Sequence, residues 1–452
     1  MDLKDLFLTP IYLILIYGMA YWIRPKVTTN VTRKYFIPAL TLKLIGAITL
    51  GLIYQFYYGS LGNPAGDTFN YFWHSKQITQ AFYDSPKIGL KLLFSHGEYD
   101  SDTYRYTIWM FWYKAPTEFL IAKIASVIGI FALNTYTVIA LFFAFISFSG
   151  FWALYIAFLE LYPKLTKEFA IAIFFLPSVF FWGSGLMKDS LTLGGLGWVF
   201  FGFYNIFIAK KQIFWSIVAL IIAGYLILTV KIYILLSFIP PALFWIFNEN
   251  NRRIKSHTIR LIAKPVFIGL GGIVSYFGAL NITAGDEKYD IEKLGERSKI
   301  TQVYLSEYVT SGSAYNIGEL DGTIGGMLKL APAAVNVTLF RPYLWEVRNP
   351  VMLLSALEAV FFMYLTVYLF YQTGILKSLK LIGNTPILLF CFIFSIIFAI
   401  GVGTSSGNFG TLVRYKIPLM PFYLSALYIM RSYAQTAKKQ KKLIARAISH
   451  PA

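Results

Sequence analysis

One carboxylate and four cations stand out because each lies beside a long apolar segment. The carboxylate is Asp67, within residues 66–73 (GDTFNYFW), which follow an apolar segment that ends near Tyr58. A charge beside hydrocarbon is costly and is usually kept for function. A carboxylate can act as a general base, and cations can stabilise a departing anion. The four cations are Lys188, Lys231, Arg341 and Arg414.

Phosphate is the anion that suits this set of residues. Arg makes bidentate contacts with phosphate, and Lys neutralises it as a point charge. The many aromatic rings nearby could stack on sugars, so a phosphorylated polyprenol head group would be a natural ligand. The neighbouring aromatic and polar residues are therefore candidate substrate contacts: Tyr71, Trp73, Trp182, Asp189, Tyr343, Trp345, Glu346 and Tyr415.

Each of these residues also has a purely structural interpretation. Asp67 could cap a helix, and Lys188 with Asp189 could form a local ion pair at a helix start. Lys231 and Arg414 could reach phospholipid head groups. The functional interpretation depends on the residues converging at one site. Glycines at 183, 185, 194, 195, 197 and 202 predict close packing between helices.

Composition predicts an all-α, polytopic membrane protein. Hydrophobic residues make up 57% of the 452, aromatic residues 18% and charged residues only 14%. Apolar runs of about 20 residues, the length of a membrane span, recur along the chain. The net charge of +18 lies almost wholly in loops, which argues against a nucleic-acid partner. The single cysteine, Cys391, excludes a disulfide framework and a cysteine-based metal site.

The hydropathy pattern predicts eleven transmembrane helices. Thr117 to Phe131 is a twelfth candidate, but it carries Glu118 and Lys123 and is predicted to be interfacial or re-entrant. We divide the chain into an additional first helix with a basic loop (1–35), a main transmembrane domain (36–430) and a basic tail (431–452). The predicted spans are 6–23, 36–58, 135–159, 168–184, 189–209, 213–229, 232–248, 264–281, 351–372, 385–402 and 416–431.

The distribution of charge predicts which loops face the cytoplasm. One set of alternate loops, together with the tail, carries 21 Lys or Arg beside only three acids. The positive-inside rule places these segments in the cytoplasm and the amino terminus outside. Two large loops, 59–134 and 282–349, then fall on the outer face with Asp67 and the four cations. The same rule predicts a carboxyl terminus in the cytoplasm.

Three motifs resemble the GT-C superfamily of integral membrane glycosyltransferases. Gly66-Asp67 with Tyr71 is similar to its catalytic acid in the first external loop. Residues 176–178 (LPS) and 181–185 (FWGSG), followed by Lys188-Asp189, resemble a Pro-Ser, Trp-Ser-Gly, Lys-Asp signature of bacterial members. Residues 414–418 (RYKIP) with Pro421 resemble the start of a late helix. The chain departs from the pattern in its single acid and its additional first span.

The resemblance implies a GT-C-like fold with interfacial helices in the external loops. It also implies transfer of a sugar from a polyprenyl-phosphate-linked donor to a glycan or glycolipid, with Asp67 as general base. The segment from Gly312 to Glu346 is similar to bacterial envelope-polysaccharide membrane proteins, which favours a surface glycan as product. The likeness to bacterial members also implies a location in the inner membrane of a bacterium. Membrane lipids are the remaining expected partner.

Other functions remain open from the sequence. One is a polysaccharide polymerase or ligase that acts on undecaprenyl-diphosphate-linked repeats. Another is a transporter or flippase for lipid-linked glycans, for which Lys43 and Glu358 are the ionisable residues within spans. A third is a non-catalytic subunit of an envelope complex. No cofactor or metal site is predicted, although Asp67 with His74 leaves a divalent cation open.

Overall fold

A computed structural model of the chain describes residues 3–59, 64–251, 293–305 and 313–449, and its regular elements are helices. The first eleven α-helices are α1 (Leu3–Val27), α2 (Arg33–Phe56), α3 (Asp67–Asp84), α4 (Pro86–Phe94), α5 (Tyr104–Thr107), α6 (Pro116–Phe131), α7 (Tyr136–Leu161), α8 (Thr166–Phe174), α9 (Pro177–Trp182), α10 (Lys188–Phe203) and α11 (Ile213–Asn251). A π-helical turn, Tyr204–Ala209, extends α10.

The remaining helices are α12 (Leu294–Val303), α13 (Ile324–Lys329), α14 (Ala331–Phe340), α15 (Pro350–Thr373), α16 (Ile375–Asn384), α17 (Pro386–Ser405), α18 (Phe409–Tyr415) and α19 (Met420–Ser449). A short 3₁₀ turn, Leu344–Glu346, precedes α15. Among the described residues no β-strand forms, and Ala314 and Asn408 make an isolated bridge.

Seven helices of the described part of the chain are long and apolar enough to cross a membrane, which supports an all-helical, multi-pass membrane protein. They are Leu3–Val27, Arg33–Phe56, Tyr136–Leu161, Lys188–Ala209, Ile213–Asn250, Met352–Thr373 and Pro386–Ser405. The count of eleven stays a prediction. One predicted span, 264–281, lies outside the described residues.

Backbone breaks explain part of the difference in number. The predicted span 168–184 is divided into α8 and α9, with Pro177 starting the second helix. The spans predicted at 213–229 and 232–248 correspond to the two parts of α11, which meet at a break where Lys231 has φ −148° and ψ 67°. They count as one helix among the seven. The final helix, α19, is buried and largely apolar from Met420 to Met430, and it is polar and mostly exposed from Arg431 to Gln440.

The helices form two compact units. The first comprises Met1–Phe158, Phe174–Ile206 and Lys210–Lys231, and the second comprises Leu159–Ile173, Phe207–Ala209 and Ile232–Ala452. In the first unit, α3 packs on α6 and α4, and α2 packs on α9. In the second unit, α17 packs on α14 and α19. The helix α6, considered above as a twelfth span, belongs to the first unit and is not among the seven spanning candidates.

Glycines let α7 and α10 approach until their backbones touch. A Cβ atom added to Gly150 would lie 1.8 Å from the carbonyl oxygen of Gly194, and one added to Gly197 would lie 2.0 Å from that of Gly150. No side chain fits in such spaces. Small residues promote this close contact between membrane helices, as the glycine pattern predicted.

Candidate functional site

Asp67 is the first residue of α3, and the backbone before it is tightly constrained. Gly66 has φ +84°, in the left-handed region that favours glycine. A Cβ atom there would also lie 2.4 Å from the ring of Tyr54. The Asp67 side chain is partly exposed. A carboxylate in the first helical turn is stabilised by the positive end of the helix dipole.

Two contacts with α7 hold the start of α3 in place. The hydroxyl groups of Thr68 and Tyr136 are hydrogen-bonded at 2.7 Å. The ring of Phe69 stacks on that of Tyr136, with centroids 4.3 Å apart and planes 12° apart. Asp67 therefore extends from a rigid helix end, which is a suitable support for a catalytic group.

Four charged side chains meet at the start of α10, and we call them the charge cluster: Glu118, Lys188, Asp189 and Lys231. The Nζ atom of Lys188 lies 3.0 Å from Oε1 of Glu118, and both side chains are partly exposed. Lys231 donates a hydrogen bond to Oδ1 of Asp189, and both are buried, with 3% and 1% of their surfaces exposed. The cluster therefore contains one accessible ion pair and one enclosed pair.

The sequence missed Glu118 as a member of the site, and the local ion pair that it allowed between Lys188 and Asp189 is replaced by pairs of each residue with another helix. Glu118 lies in the first turn of α6, and its neighbour Thr117 donates a hydrogen bond of 3.1 Å to the carbonyl of Thr229. This contact brings the start of α6 beside the backbone that leads to Lys231. A pattern such as PTE at a helix start signals a capped terminus and gives no indication of a distant lysine partner.

The turn before Lys188 is fixed by a buried lysine. Lys43 of α2 donates hydrogen bonds to the Gly183 carbonyl at 2.7 Å and to Oγ of Ser147 at 3.2 Å. Its Nζ also lies 4.0 Å from the centre of the Phe151 ring. Lys43 thus stabilises the turn at Gly183. Because Lys43 has this structural role, its presence within a predicted span is weaker evidence for a transporter.

Aromatic contacts connect Asp67 to this turn. Tyr54 packs against Gly66, and its ring meets that of Trp182 edge to face at 6.5 Å. Trp182 ends α9, directly before Gly183. Asp67 and the charge cluster therefore belong to one connected part of the first unit.

Burial changes the predicted roles of three residues. Tyr71 is fully buried and its ring packs on Trp112 at 4.9 Å, so in this conformation it supports α3 from within and does not meet a ligand. Asp189 and Lys231 likewise face each other, because two buried charges are stabilised by pairing. Trp73 is half exposed and remains available for contact, whereas Trp182 is largely buried.

The predicted residues of the second unit gather around Arg341. Its guanidinium donates two hydrogen bonds to the Glu346 carboxylate, one of them 3.1 Å long. Its Cζ atom also lies between 5.3 and 5.7 Å from the ring centres of Tyr315, Tyr343 and Phe409. Since a bidentate carboxylate occupies its fork, Arg341 acts as a structural clasp in this conformation.

The other predicted residues of that unit are less enclosed. Trp345 is 81% exposed and stacks on Tyr343, with ring centres 4.7 Å apart. Arg414 and Tyr415 end the short helix α18 and are partly exposed. Phe409, at the start of the same helix, packs against Arg341. Of the four predicted cations, Lys188, Arg341 and Arg414 are partly exposed, whereas Lys231 is buried.

His74 does not fit a metal site with Asp67. Its imidazole is buried against Phe111 and Trp112, with ring centres 4.5 and 5.3 Å away, and neither ring nitrogen has a hydrogen-bond partner in the described structure. Within the described residues, no three His, Cys, Asp or Glu side chains come together as a ligand set.

Burial lowers the pKa of His74 to about 4, from an ordinary value of 6.5. The unfolded chain therefore takes up the proton first as the pH falls. The stabilisation is complete above pH 6.5 and is lost between pH 6.5 and 4, by up to about 3 kcal/mol. We expect thermal unfolding in detergent to show this loss, and His74→Leu to reduce it. The exposed His96 provides the control, and an unchanged pH profile in His74→Leu would contradict the assignment.

Comparison with known proteins adds no relative: no family model, curated protein or solved structure matches the chain.

Proposed function

We propose that this chain is a membrane glycosyltransferase that takes a sugar from a polyprenyl-phosphate-linked donor and passes it to a glycan or glycolipid on the periplasmic face. The observation that carries the proposal is the arrangement of the first unit. A partly exposed carboxylate on a rigid helix start is joined, through Tyr54 and Trp182, to an ion-paired cluster with one accessible lysine. Acid–base transfer from a lipid phosphate requires these two kinds of group.

In the proposed reaction, Asp67 removes the proton from an acceptor hydroxyl group. The acceptor oxygen forms a bond with the anomeric carbon of the sugar as the bond from that carbon to the phosphate oxygen breaks. The electron pair of the broken bond leaves on the polyprenyl phosphate. Asp67 then releases its proton to water. No metal or cofactor is required by this sequence of steps.

The accessible pair Glu118–Lys188 suggests how the phosphate is held. A lipid phosphate that approaches Lys188 competes with the Glu118 carboxylate for the same ammonium group. The Asp189–Lys231 pair is buried and holds in position the start of α10, which carries Lys188. Lys231 is thereby reassigned from phosphate binding to positioning. Arg414 remains a second candidate phosphate contact, and Trp73 and Trp345 are exposed rings for sugar or prenyl contact.

The full chain, purified and reconstituted in liposomes with a membrane extract as the source of acceptor, tests the proposal. We expect release of polyprenyl phosphate from a donor that carries one labelled sugar on a monophosphate, together with labelled product. Activity only with an oligosaccharide diphosphate would instead identify a polymerase or ligase. Movement of the donor between leaflets with no bond broken would identify a flippase.

A further inference from the structure

A cavity of about 280 Å³ lies between the start of α8 and the middle of α19. All of its lining residues belong to the second unit. Its polar lining consists of Lys167, Glu168, Tyr428, Arg431, Ser432 and Gln435. The volume is near the lower end of small-molecule pockets and suits a head group better than a whole lipid.

The lining carries an excess of positive charge that the described protein does not neutralise. Lys167 and Arg431 are exposed, and the single acid, Glu168, is partly exposed. None of the three forms an ion pair with another residue in the described ranges. Hydroxyl and amide groups of Ser432 and Gln435 add hydrogen-bond donors beside the two cations. Such a set of groups is suited to a phosphate.

The cavity lies where both helices change from apolar to charged. In α19, Met420–Met430 are buried and the exposed, polar part begins at Arg431. In α8, the adjacent charged residues Lys167 and Glu168 precede the buried residues Phe169 and Ala170. In a multi-pass membrane protein, this change marks the level of the head groups. The hydroxyl groups of Tyr162 and Tyr433, 3.2 Å apart, provide the tyrosines typical of that level.

We propose that this cavity binds a phosphate group, in the form of a phosphodiester or phosphomonoester, between Lys167 and Arg431. The site is separate from the charge cluster and does not depend on the proposed sugar transfer. The sequence adds a local attraction for anions, because residues 431–446 contain six Lys or Arg and no acid. The phosphate can come from an anionic phospholipid or from a soluble phosphate ester, and the two sources share the same recognition chemistry.

The test compares the wild-type chain with a double variant, Lys167→Gln with Arg431→Gln. Delipidated protein in phosphatidylcholine nanodiscs is titrated with phosphatidylglycerol and, separately, with glycerol phosphate, and bound ligand is counted by native mass spectrometry. Two basic residues near a membrane surface predict about 30-fold weaker binding in the double variant. The matched control is Lys438→Gln with Lys439→Gln, which removes the same charge from an exposed part of α19.

The results distinguish a lipid phosphate from a soluble phosphate ester, and either of them from a cavity that binds no phosphate. Loss of phosphatidylglycerol binding in the pocket variant alone supports the site and identifies a lipid source. The same pattern with glycerol phosphate supports the site and identifies a soluble source. Equal binding by wild-type and pocket variant, or an equal loss in the control, overturns the proposal. Unchanged thermal unfolding in phosphatidylcholine confirms that the variant is folded, and Arg431→Lys is expected to retain binding.

Discussion

Replacement of Asp67 by asparagine is expected to lower the rate of sugar transfer by about 10²–10⁴-fold, the usual contribution of a general base. Asparagine keeps the shape of the side chain but cannot accept a proton from the acceptor hydroxyl. The measurement is the initial rate of polyprenyl phosphate release by the reconstituted chain. Transfer within threefold of the wild-type rate would contradict the role assigned to Asp67.

The fold should tolerate this substitution. The α3 start is held by the left-handed turn at Gly66 and by the contacts of Thr68 and Phe69 with Tyr136, none of which needs the Asp67 charge. Loss of the favourable charge at the helix start costs only about 0.3–1 kcal/mol. Thermal unfolding and elution as a single species in detergent check this expectation.

A matched control comes from the same segment of the chain, residues 59–134. Asp102 is an exposed acid whose carboxylate lies 3.0 Å from Nζ of Lys91, so Asp102→Asn makes the same chemical change away from the site. We expect Asp102→Asn to transfer sugar at the wild-type rate. An equal loss in both variants would indicate a general effect of charge in this segment. Unchanged movement of the lipid-linked donor across the bilayer in Asp67→Asn would further separate an enzyme from a flippase.

Hydropathy and helix-start signals predicted the local features of this chain well. The helices α3 and α10 begin at Asp67 and Lys188, close to the predicted helix starts, although the cap of α3 is Gly66 and Asp67 is its first helical residue. The glycines predicted to allow close packing include Gly194 and Gly197, which meet Gly150 of α7. These features depend on residues that are adjacent or one helical turn apart. Such short spacings can be read from the sequence.

Ion pairs between residues that are far apart in the sequence could not be predicted in this way. The pair Lys188–Glu118 joins residues 70 positions apart, and Lys231–Asp189 joins residues 42 positions apart. The sequence placed Lys188 and Lys231 on the same outer side, but an isolated cation in a sequence does not reveal whether a carboxylate or a ligand will neutralise it. For this reason the predicted phosphate contacts Lys188, Lys231 and Arg341 were found in ion pairs.

We expect the enclosed pair Asp189–Lys231 to contribute to the stability of the fold, which a lysine that only binds a ligand would not do. Both side chains are almost fully buried, and removing one partner leaves an uncompensated charge away from water. Breaking such a pair costs about 3–5 kcal/mol. An exposed pair behaves differently. The Lys91–Asp100 pair, 2.6 Å apart with both side chains about two-fifths exposed, is expected to contribute little to stability, because water screens exposed charges.

Single variants Asp189→Asn and Lys231→Met are therefore each expected to lose about 3–5 kcal/mol of unfolding free energy, whereas the double variant recovers most of the loss because no buried charge remains. Denaturant unfolding in mixed micelles measures the unfolding free energy of the wild type, the two single variants and the double variant. Asp100→Asn is the exposed control. Additive losses in the double variant would exclude mutual compensation. If Lys231→Met keeps wild-type stability but raises the KM for the lipid-linked donor, Lys231 meets the donor phosphate, as the sequence predicted, and is not held by Asp189.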